Sequence, residues 1–284
     1  MYSSKLTWLV TGANSGLGLC IVQQALRQGH TVIATARSLA KFPESLRDAQ
    51  NAHLFELEAT SSAFIITKFV DDLVSRFGHI DVLVNNAGYG LFGAVESLTE
   101  QDIRRQFEVN FFGVLNLTKA ILPHMRQRCS GTILQMSSCS GIFNIEGSPV
   151  YTASKHALEG LSEGLAQEVK KFGIRVHLIE PGYFRTGFVT SALETRKEGS
   201  WMTEDGYIDM KAYITDADGS QPGDPVKAAE RIFELASLTG MAKGLQDEVR
   251  LVLGSDCLDM LEKKIKQYEK TVQMMREIAP STDY

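Results

Sequence analysis

Short apolar runs alternate along the chain with longer amphipathic stretches, and this alternation predicts strands and helices in turn. The strand candidates are rich in β-branched residues and largely continuous in hydrophobicity, as a sheet covered on both faces requires. They are residues 6–10, 31–35, 53–57, 80–84, 132–136, 174–179 and 248–253.

The amphipathic stretches predict helices over residues 17–28, 61–77, 99–126, 151–172, 225–237 and 256–278. Thr99 and Asp102 give the third of these a start like a capping box, and Pro123 is expected to kink or end it. The last helix belongs to a C-terminal extension over 255–279 and carries one apolar stripe. The stripe consists of Leu258, Leu261, Ile265, Tyr268, Val272 and Met275.

Strands alternating with helices predict parallel strands joined by right-handed crossovers. The expected fold is therefore a single doubly wound α/β domain, with a seven-stranded parallel sheet and helices on both faces. The length of 284 residues fits one such domain. Residues 183–224 have mixed composition and no clear period, which predicts a substrate lid or a disordered loop.

The composition is that of an ordinary globular protein, with 44% hydrophobic and 22% charged residues. The net charge of −5 comes without a basic block, which makes nucleic acid and anionic membrane poor partners. Four scattered cysteines predict reduced thiols, not a zinc site or a disulfide frame, and no histidine has a partner at metal-ligand spacing. The chain has neither a membrane-spanning run nor a signal-peptide pattern, so a cytoplasmic location is expected.

A glycine-rich segment, TGANSGLG at 11–18, follows the first predicted strand and opens the first helix. Glycines let the backbone approach a pyrophosphate, and the helix N-terminus offers free N–H groups and partial positive charge. The spacing differs from the commoner G-x-G-x-x-G, and a tight turn without a ligand is the alternative interpretation. The candidate phosphate contacts are Gly12, Asn14, Ser15, Gly16, Leu17 and Gly18.

The end of the second predicted strand indicates which dinucleotide would bind. An acidic residue there would hold the adenosine ribose 2′-hydroxyl and repel a 2′-phosphate. This chain has Arg37 and Ser38 instead, and an arginine can pair a phosphate through its planar guanidinium. NADP(H) is therefore favoured over NAD(H), although Arg37 could also be a solvated surface residue.

Tyr151 and Lys155 are four residues apart at the start of a predicted helix and so share a face. A tyrosine with an ordinary pKa of about 10 is a poor acid–base catalyst at neutral pH, but a neighbouring ammonium lowers that pKa. Chance pairs of this kind are common on solvated helix faces. Polar segments at 85–88 and 137–138 follow predicted strands, where open α/β sheets bind ligands. These segments favour the interpretation of Tyr151 and Lys155 as a catalytic pair.

Taken together, the motifs make the chain resemble the classical short-chain dehydrogenase/reductase family over nearly its whole length. They stand in family order: TGANSGLG, NNAG at 85–88, Asn110, Ser138, YTASK at 151–155 and PGYFRT at 181–186. The chain is most similar to NADP(H)-preferring members with an extended C-terminal helix, such as 17β-hydroxysteroid-dehydrogenase-like enzymes. The resemblance implies a Rossmann-fold oxidoreductase that uses NADP(H), assembled as a homodimer or homotetramer on the 99–126 and 151–172 helices.

The resemblance also implies catalytic roles. Tyr151 would be the general acid in reduction and the base in oxidation, and Ser138 would hydrogen-bond the substrate oxygen. Lys155 would hold the nicotinamide ribose and lower the tyrosine pKa, and Asn110 would anchor a water in a proton relay. Ser137 is a rival for Ser138, which is preferred because two residues separate it from the next glycine.

Further cofactor contacts follow from the same resemblance. Glu58 stands where the family usually has aspartate, which leaves its contact with adenine open. The remaining candidates lie nearer the nicotinamide: Asn86, Ala87, Gly88, Tyr151, Lys155, Pro181, Gly182 and Thr186.

The candidate substrate wall is aromatic and mostly apolar, which suits a hydrophobic ketone of steroid, retinoid, polyketide or terpenoid type. Each aromatic residue could instead be ordinary core. Two other functions are compatible with the same fold: non-redox chemistry, such as epimerisation or dehydration, and NADP(H) binding without turnover. The wall comprises Ser138, Tyr151, Phe143, Tyr183 and Phe188, with Tyr89 and Phe92, and with Glu146 and Asn144 as polar contacts.

Overall fold

The computed structural model describes residues 5–194, Thr215 and residues 219–284. Within these residues, seven parallel strands form one sheet in the order β3-β2-β1-β4-β5-β6-β7. Every predicted strand is present, with its ends moved by at most two residues. The strands are β1 Thr7–Thr11, β2 Thr31–Ala36, β3 Ala52–Glu56, β4 Val82–Asn85, β5 Gly131–Met136, β6 Ile174–Pro181 and β7 Arg250–Leu253.

The helices cover both faces of the sheet, as the alternating pattern predicts. Their bounds are α1 Gly16–Arg27, α2 Glu44–Arg47, α3 Ala63–Phe77, α4 Glu100–Phe107, α5 Val114–Arg128, α6 Pro149–Val169, α7 Phe188–Glu194, α8 Pro225–Ser237 and α9 Ser255–Met275. The short helices α2 and α7 were not predicted. Most of the predicted lid, residues 195–214 and 216–218, lies outside the described residues.

Two hydrophobic clusters form the core because neighbouring strand residues point to opposite faces. Trp8 and Val10 of β1 belong to the cluster under α1 and α8. Leu9, between them, belongs to the cluster under α3, α5 and α6. Each large side chain buried in this way contributes about 1.5–3 kcal/mol, so the core holds the carboxyl ends of the central strands in place.

The chain leaves β1 toward β2 and β3 on one side, and β4 lies on the other side of β1. Open α/β sheets bind ligands beyond the carboxyl ends of their strands, at such a reversal of strand order. The fold therefore places the candidate site at the carboxyl ends of β1 and β4.

The predicted 99–126 helix is not one regular helix. Thr99 and Asp102 form the expected capping box at the start of α4. A π-helical turn, Glu108–Gly113, then separates α4 from α5, and Asn110 lies buried within it. Pro123 does not end the helix, since α5 continues around it to Arg128. Single π-turns frequently occur at functional sites, and this one fixes where Asn110 points.

The C-terminal helix α9 contacts the body of the protein at its beginning. Of its residues, Cys257 is fully buried, and it packs in a small cluster with Cys139 and Ile142. Nearly all residues from Glu262 onward are exposed. Across the described ranges, no helix has both the length and the apolar character that a membrane crossing requires.

Candidate active site

The glycine-rich turn packs closely against the segment that follows β4. Gly12 has φ +61°, and a Cβ on it would lie 2.9 Å from Cα of Ala87. A Cβ on Gly18 would lie 2.4 Å from Nδ2 of Asn86. Only glycine fits at these two positions, and the turn leads directly into α1, whose first N–H groups face the carboxyl ends of the strands.

Hydrogen bonds join this turn to the NNAG segment. The Thr11 hydroxyl accepts hydrogen bonds from the backbone N–H groups of Asn86 and Ala87, at 3.0 and 2.9 Å. Nδ2 of Asn86 donates in return to the carbonyl oxygens of Thr11, at 2.9 Å, and Gly12, at 3.1 Å. Asn85 turns away and binds Thr118 and Gln135 within the core. The floor of the candidate cofactor cleft is therefore rigid.

Arg37 and Glu58 lie beside this cleft, at the ends of neighbouring strands. Arg37 directly follows β2 and is exposed, with half-buried Ser38 next to it. Glu58 is exposed beyond β3, next to Leu57, whose N–H donates to the carbonyl of Ala36. Both side chains are thus free to meet the adenosine end of a dinucleotide.

The PGYFRT segment borders the opposite side of the glycine-rich turn. A Cβ on Gly16 would lie 3.5 Å from Cβ of Thr186, so Thr186 faces the turn. Pro181 ends β6 and is buried. Gly182 packs against the Asp256 carboxylate so closely that a Cβ would lie 2.2 Å from Oδ1.

Tyr151 and Ser138 form the centre of the site. Tyr151 lies in the first turn of α6 and is 5% exposed, and Ser138 follows β5 and is 8% exposed. The Ser138 hydroxyl lies close enough to the Tyr151 hydroxyl to act on its pKa. Burial raises the pKa of Tyr151 above its ordinary value, and Ser138 opposes that rise only in part. The sequence predicts that the Lys155 ammonium lowers this pKa, and that effect stays a prediction.

Lys155 lies one helical turn beyond Tyr151. Its Nζ is 5.9 Å from the centre of the Tyr151 ring and donates a hydrogen bond of 2.7 Å to the carbonyl of Met136. Burial lowers the pKa of Lys155 to about 8, and the nearby Glu159 carboxylate opposes that shift. The buried ammonium is therefore close to its titration point at neutral pH.

Asn110 completes the group. Its Nδ2 donates to the carbonyl of Tyr89, at 3.0 Å, and to the Ser154 hydroxyl, at 3.3 Å. A Cβ on Gly88 would lie 3.2 Å from Oδ1 of Asn110 and 3.7 Å from Nζ of Lys155. The structure thus brings together all four predicted catalytic residues, from three segments of the chain: the π-helical turn, the residues after β5, and α6.

Ser137 has a different environment from Ser138. Its hydroxyl donates to Oε1 of Glu159, one turn beyond Lys155 on α6. Gly141 packs over this pair, since a Cβ there would lie 2.4 Å from the same carboxylate oxygen. Ser138, not Ser137, is therefore the serine that faces Tyr151.

Glu159 also belongs to a charged cluster behind the site. Arg250 of β7 lies 2.5 Å from Oε2 of Glu159 and contacts Glu180 and Glu163 as well. Glu180 is 0% exposed, and burial raises its pKa to about 8, with Glu159 adding to the rise and Arg250 opposing it. A single arginine thus stabilises two buried carboxyl groups.

Two aromatic residues flank Tyr151 on the predicted substrate side. The ring of Phe92 lies 6.1 Å from that of Tyr151, and the ring of Phe188 lies 5.9 Å away, centre to centre. Gly90 permits this arrangement, because a Cβ there would lie 2.7 Å from the Phe92 ring. The phenol of Tyr151 therefore faces an aromatic surface.

The other candidate wall residues are placed less centrally. Phe143 is half-buried, and Asn144 and Glu146 are exposed. The backbone N–H of Tyr183 donates to the Asp256 carboxylate at 2.6 Å, while its side chain is half-buried. Their contact with substrate stays a prediction.

Sequence reasoning missed the cluster of Glu159, Glu180 and Arg250. One signal was available, because Glu159 stands four residues after Lys155 and so shares its helical face. No local pattern indicates Arg250, which reaches Glu159 from a strand 91 residues away in sequence.

Comparison with known proteins agrees with this geometry. The pattern of the short chain dehydrogenase family matches residues 7–197. A 3-ketodihydrosphingosine reductase from Bacteroides thetaiotaomicron is 42% identical over 180 residues, which cover 63% of this chain and 64% of that protein. The chain thus matches less than two thirds of the length of this relative.

Two solved structures are similar over most of the chain. A short-chain dehydrogenase from Streptomyces avermitilis has a TM-score of 0.86 and 36% identity, covering 100% of both chains. The structure of ElxO with NADP bound has a TM-score of 0.74 and 25% identity, covering 90% of this chain and 99% of that chain. This protein therefore belongs to the short-chain dehydrogenase family.

Proposed function

We propose that the protein is an NADP(H)-dependent enzyme that reduces the ketone or aldehyde of a hydrophobic small molecule, and oxidises the alcohol in reverse. The observation that carries this proposal is the grouping of buried Tyr151, buried Ser138 beside it, and the Lys155 ammonium one turn along the helix. These groups lie at the end of a cleft floored by the glycine-rich turn.

The residues around that cleft fit a dinucleotide. Gly12 and Gly18 let the turn pack closely against Asn86 and Ala87, and the start of α1 offers N–H groups for a pyrophosphate. Arg37 would pair the adenosine 2′-phosphate, and Thr186 would lie near the nicotinamide. Bound NADPH supplies the hydride for the carbonyl carbon. The NADP bound to ElxO supports the choice of cofactor.

In the reduction, the Tyr151 hydroxyl gives its proton to the carbonyl oxygen as the carbonyl carbon gains the hydride. The C=O π bond breaks, and one C–H and one O–H bond form. Ser138 donates a hydrogen bond to the same oxygen and so stabilises the charge that develops there. Lys155 and a water held by Asn110 then return a proton to the phenolate. Burial raises the pKa of Tyr151 in the protein alone, and the Lys155 ammonium and a bound nicotinamide would lower it toward the working pH.

The substrate class follows from the aromatic surface beside Tyr151. Phe92 and Phe188 offer apolar contact next to the Tyr151 ring. The resemblance to 17β-hydroxysteroid-dehydrogenase-like enzymes and the name of the ketodihydrosphingosine reductase relative both support a hydrophobic ketone.

A deuterium-transfer assay tests the function. The purified protein is incubated with NADPH carrying deuterium at C4 and a panel of steroid, retinoid and long-chain ketones. We expect NADPH oxidation with at least one ketone and deuterium at the carbinol carbon of the product. Tight NADPH binding with no oxidation across the panel, or turnover without deuterium in the product, would contradict the proposal.

Replacing Arg37 by alanine is expected to raise the KM for NADPH by about 10- to 100-fold, because a charge-assisted hydrogen bond to phosphate contributes about 1.5–3 kcal/mol. The KM for NADH, which lacks the 2′-phosphate, should change little. Initial rates with both cofactors measure the effect. Lys41→Ala, another exposed cation near the end of β2, is the matched control. An equal loss with both cofactors would argue against the phosphate contact.

The rate of reduction is expected to fall as pH rises through about 8, where Lys155 loses its charge. Glu159→Gln should move this fall to lower pH, because the carboxylate that raises the pKa of Lys155 is removed while an acceptor for Ser137 remains. The measurement is kcat against pH. Glu163→Gln, which also removes a carboxylate from Arg250, is the control and should leave the profile in place. Identical shifts in both variants would refute a specific effect of Glu159.

A further inference from the structure

The outer part of α9 has no packing partner in the described chain. Along its apolar face, Ile265 is 48%, Tyr268 61% and Val272 58% exposed. Isolated helices of this length are marginal in water, and most helices gain their stability by packing an apolar face. A helix that packed along the exposed face would therefore stabilise α9.

The spacing of the face indicates what kind of partner fits. Leu258 and Met275 mark its ends, and its apolar positions follow one another at steps of three, four, three, four and three residues. This average repeat of 3.5 residues is that of a left-handed coiled coil, in which a second helix packs along the same seam. We call these positions the heptad face; they are Leu258, Leu261, Ile265, Tyr268, Val272 and Met275, of which Leu261 also packs against the protomer's own cluster of Cys139, Ile142 and Cys257.

The charges beside the heptad face favour a parallel pair. Glu262 and Glu269 flank one side of the face, and Lys264 flanks the other. In a parallel pair, a residue on the lysine side of one helix meets the residue five positions further along the partner helix, on its glutamate side. Lys264 would meet Glu269 of a second copy, and symmetry repeats the pair. In an antiparallel pair each flank meets its own copy, so Lys264 would have no glutamate partner.

The charge balance of α9 distinguishes a protein partner from a lipid surface. A helix that lies on an anionic membrane carries an excess of lysine and arginine on its polar face. Over Ser255–Met275 the sequence has four lysines and four acidic residues, so the helix has no such excess.

We propose that α9 pairs in parallel with α9 of a second copy of this chain through the heptad face. This interface is separate from the one on the 99–126 and 151–172 helices that the family resemblance implies. It does not depend on the proposed catalytic role.

Light scattering coupled to size-exclusion chromatography tests the proposal. The double variant Ile265→Glu with Val272→Glu should have half the mass of the wild-type assembly. The matched control is Gln267→Glu with Gln273→Glu, which adds the same charge to the same helix off the heptad face, and should keep the wild-type mass. A monomeric wild-type protein, or equal masses in all three proteins, would overturn the proposal. So would a wild-type protein that is monomeric and binds phosphatidylserine vesicles through α9.

Disulfide trapping gives a second test that does not rely on disruptive charges. In a Cys129→Ala background, which removes the exposed native thiol, Ile265→Cys should form a covalent dimer under mild oxidation. Residue 265 meets its own copy only in a parallel, in-register pair. Gln267→Cys on the outer face should stay uncrosslinked at the same protein concentration. Equal crosslinking of both variants would mean random collision and would refute the pairing.

Discussion

The Tyr151→Phe variant is expected to lose about 10²- to 10⁴-fold in kcat for carbonyl reduction, the usual contribution of a positioned general acid. The substitution removes only the hydroxyl, so the ring keeps its contacts with Phe92 and Phe188. The carbonyl oxygen would then gain negative charge with no donor of a proton nearby. Steady-state NADPH oxidation with the best ketone measures the effect.

Cofactor binding separates a lost proton donor from a damaged fold. The Kd for NADPH, followed by the fluorescence of the reduced nicotinamide, should stay within about threefold of the wild-type value, because less than 1 kcal/mol of binding is at stake. Ser138→Ala should also lower kcat, since the oxygen loses its second hydrogen bond, while Ser137→Ala should spare it. A Tyr151→Phe variant that retains most of its activity would remove Tyr151 from the role of acid.

The sheet could be predicted from the sequence because continuous apolar runs of β-branched residues can pack only in a sheet covered on both faces. The break in the 99–126 helix could not. A π-turn adds a residue to one turn while leaving the apolar pattern nearly unchanged, so Glu108–Gly113 is a product of tertiary packing. At Gly113, a Cβ would lie 2.4 Å from the carbonyl of Ala59, which shows how closely the chain passes there.

The catalytic group was predictable for a different reason. Tyr151 and Lys155 are fixed relative to each other by one turn of helix, and Ser138 directly follows a strand. The spacing of these residues along the sequence therefore determines most of their relative positions. It does not determine the balance between burial and charge, and the burial that raises the pKa of Tyr151 in the protein alone is a product of the fold.

Arg250→Met is expected to lower the free energy of unfolding by about 3 kcal/mol at pH 8. This value is near the lower end of the loss caused by breaking a buried ion pair, because the Arg250 side chain is itself 35% exposed. The variant leaves the carboxyl groups of Glu159 and Glu180 side by side without a cation. Urea unfolding measures the loss. Arg104→Met, which breaks an exposed pair with Glu100 on α4, should cost only about 0.5 kcal/mol.

The pH dependence of that loss identifies its cause. A carboxyl whose pKa is raised on folding favours the folded state below its ordinary pKa, and this advantage disappears as pH rises through the folded value. For Glu180 in the wild type, this advantage is lost over the pH range from about 4.5 to about 8. Removing Arg250 raises the upper limit of that pH range. The deficit of Arg250→Met should therefore shrink as pH falls toward 5.

Adding Glu180→Gln to Arg250→Met should restore part of the stability at pH 8, because one of the two facing charges is gone. A deficit that is constant with pH and unchanged by Glu180→Gln would show that Arg250 stabilises the fold by packing its side chain, not by its charge.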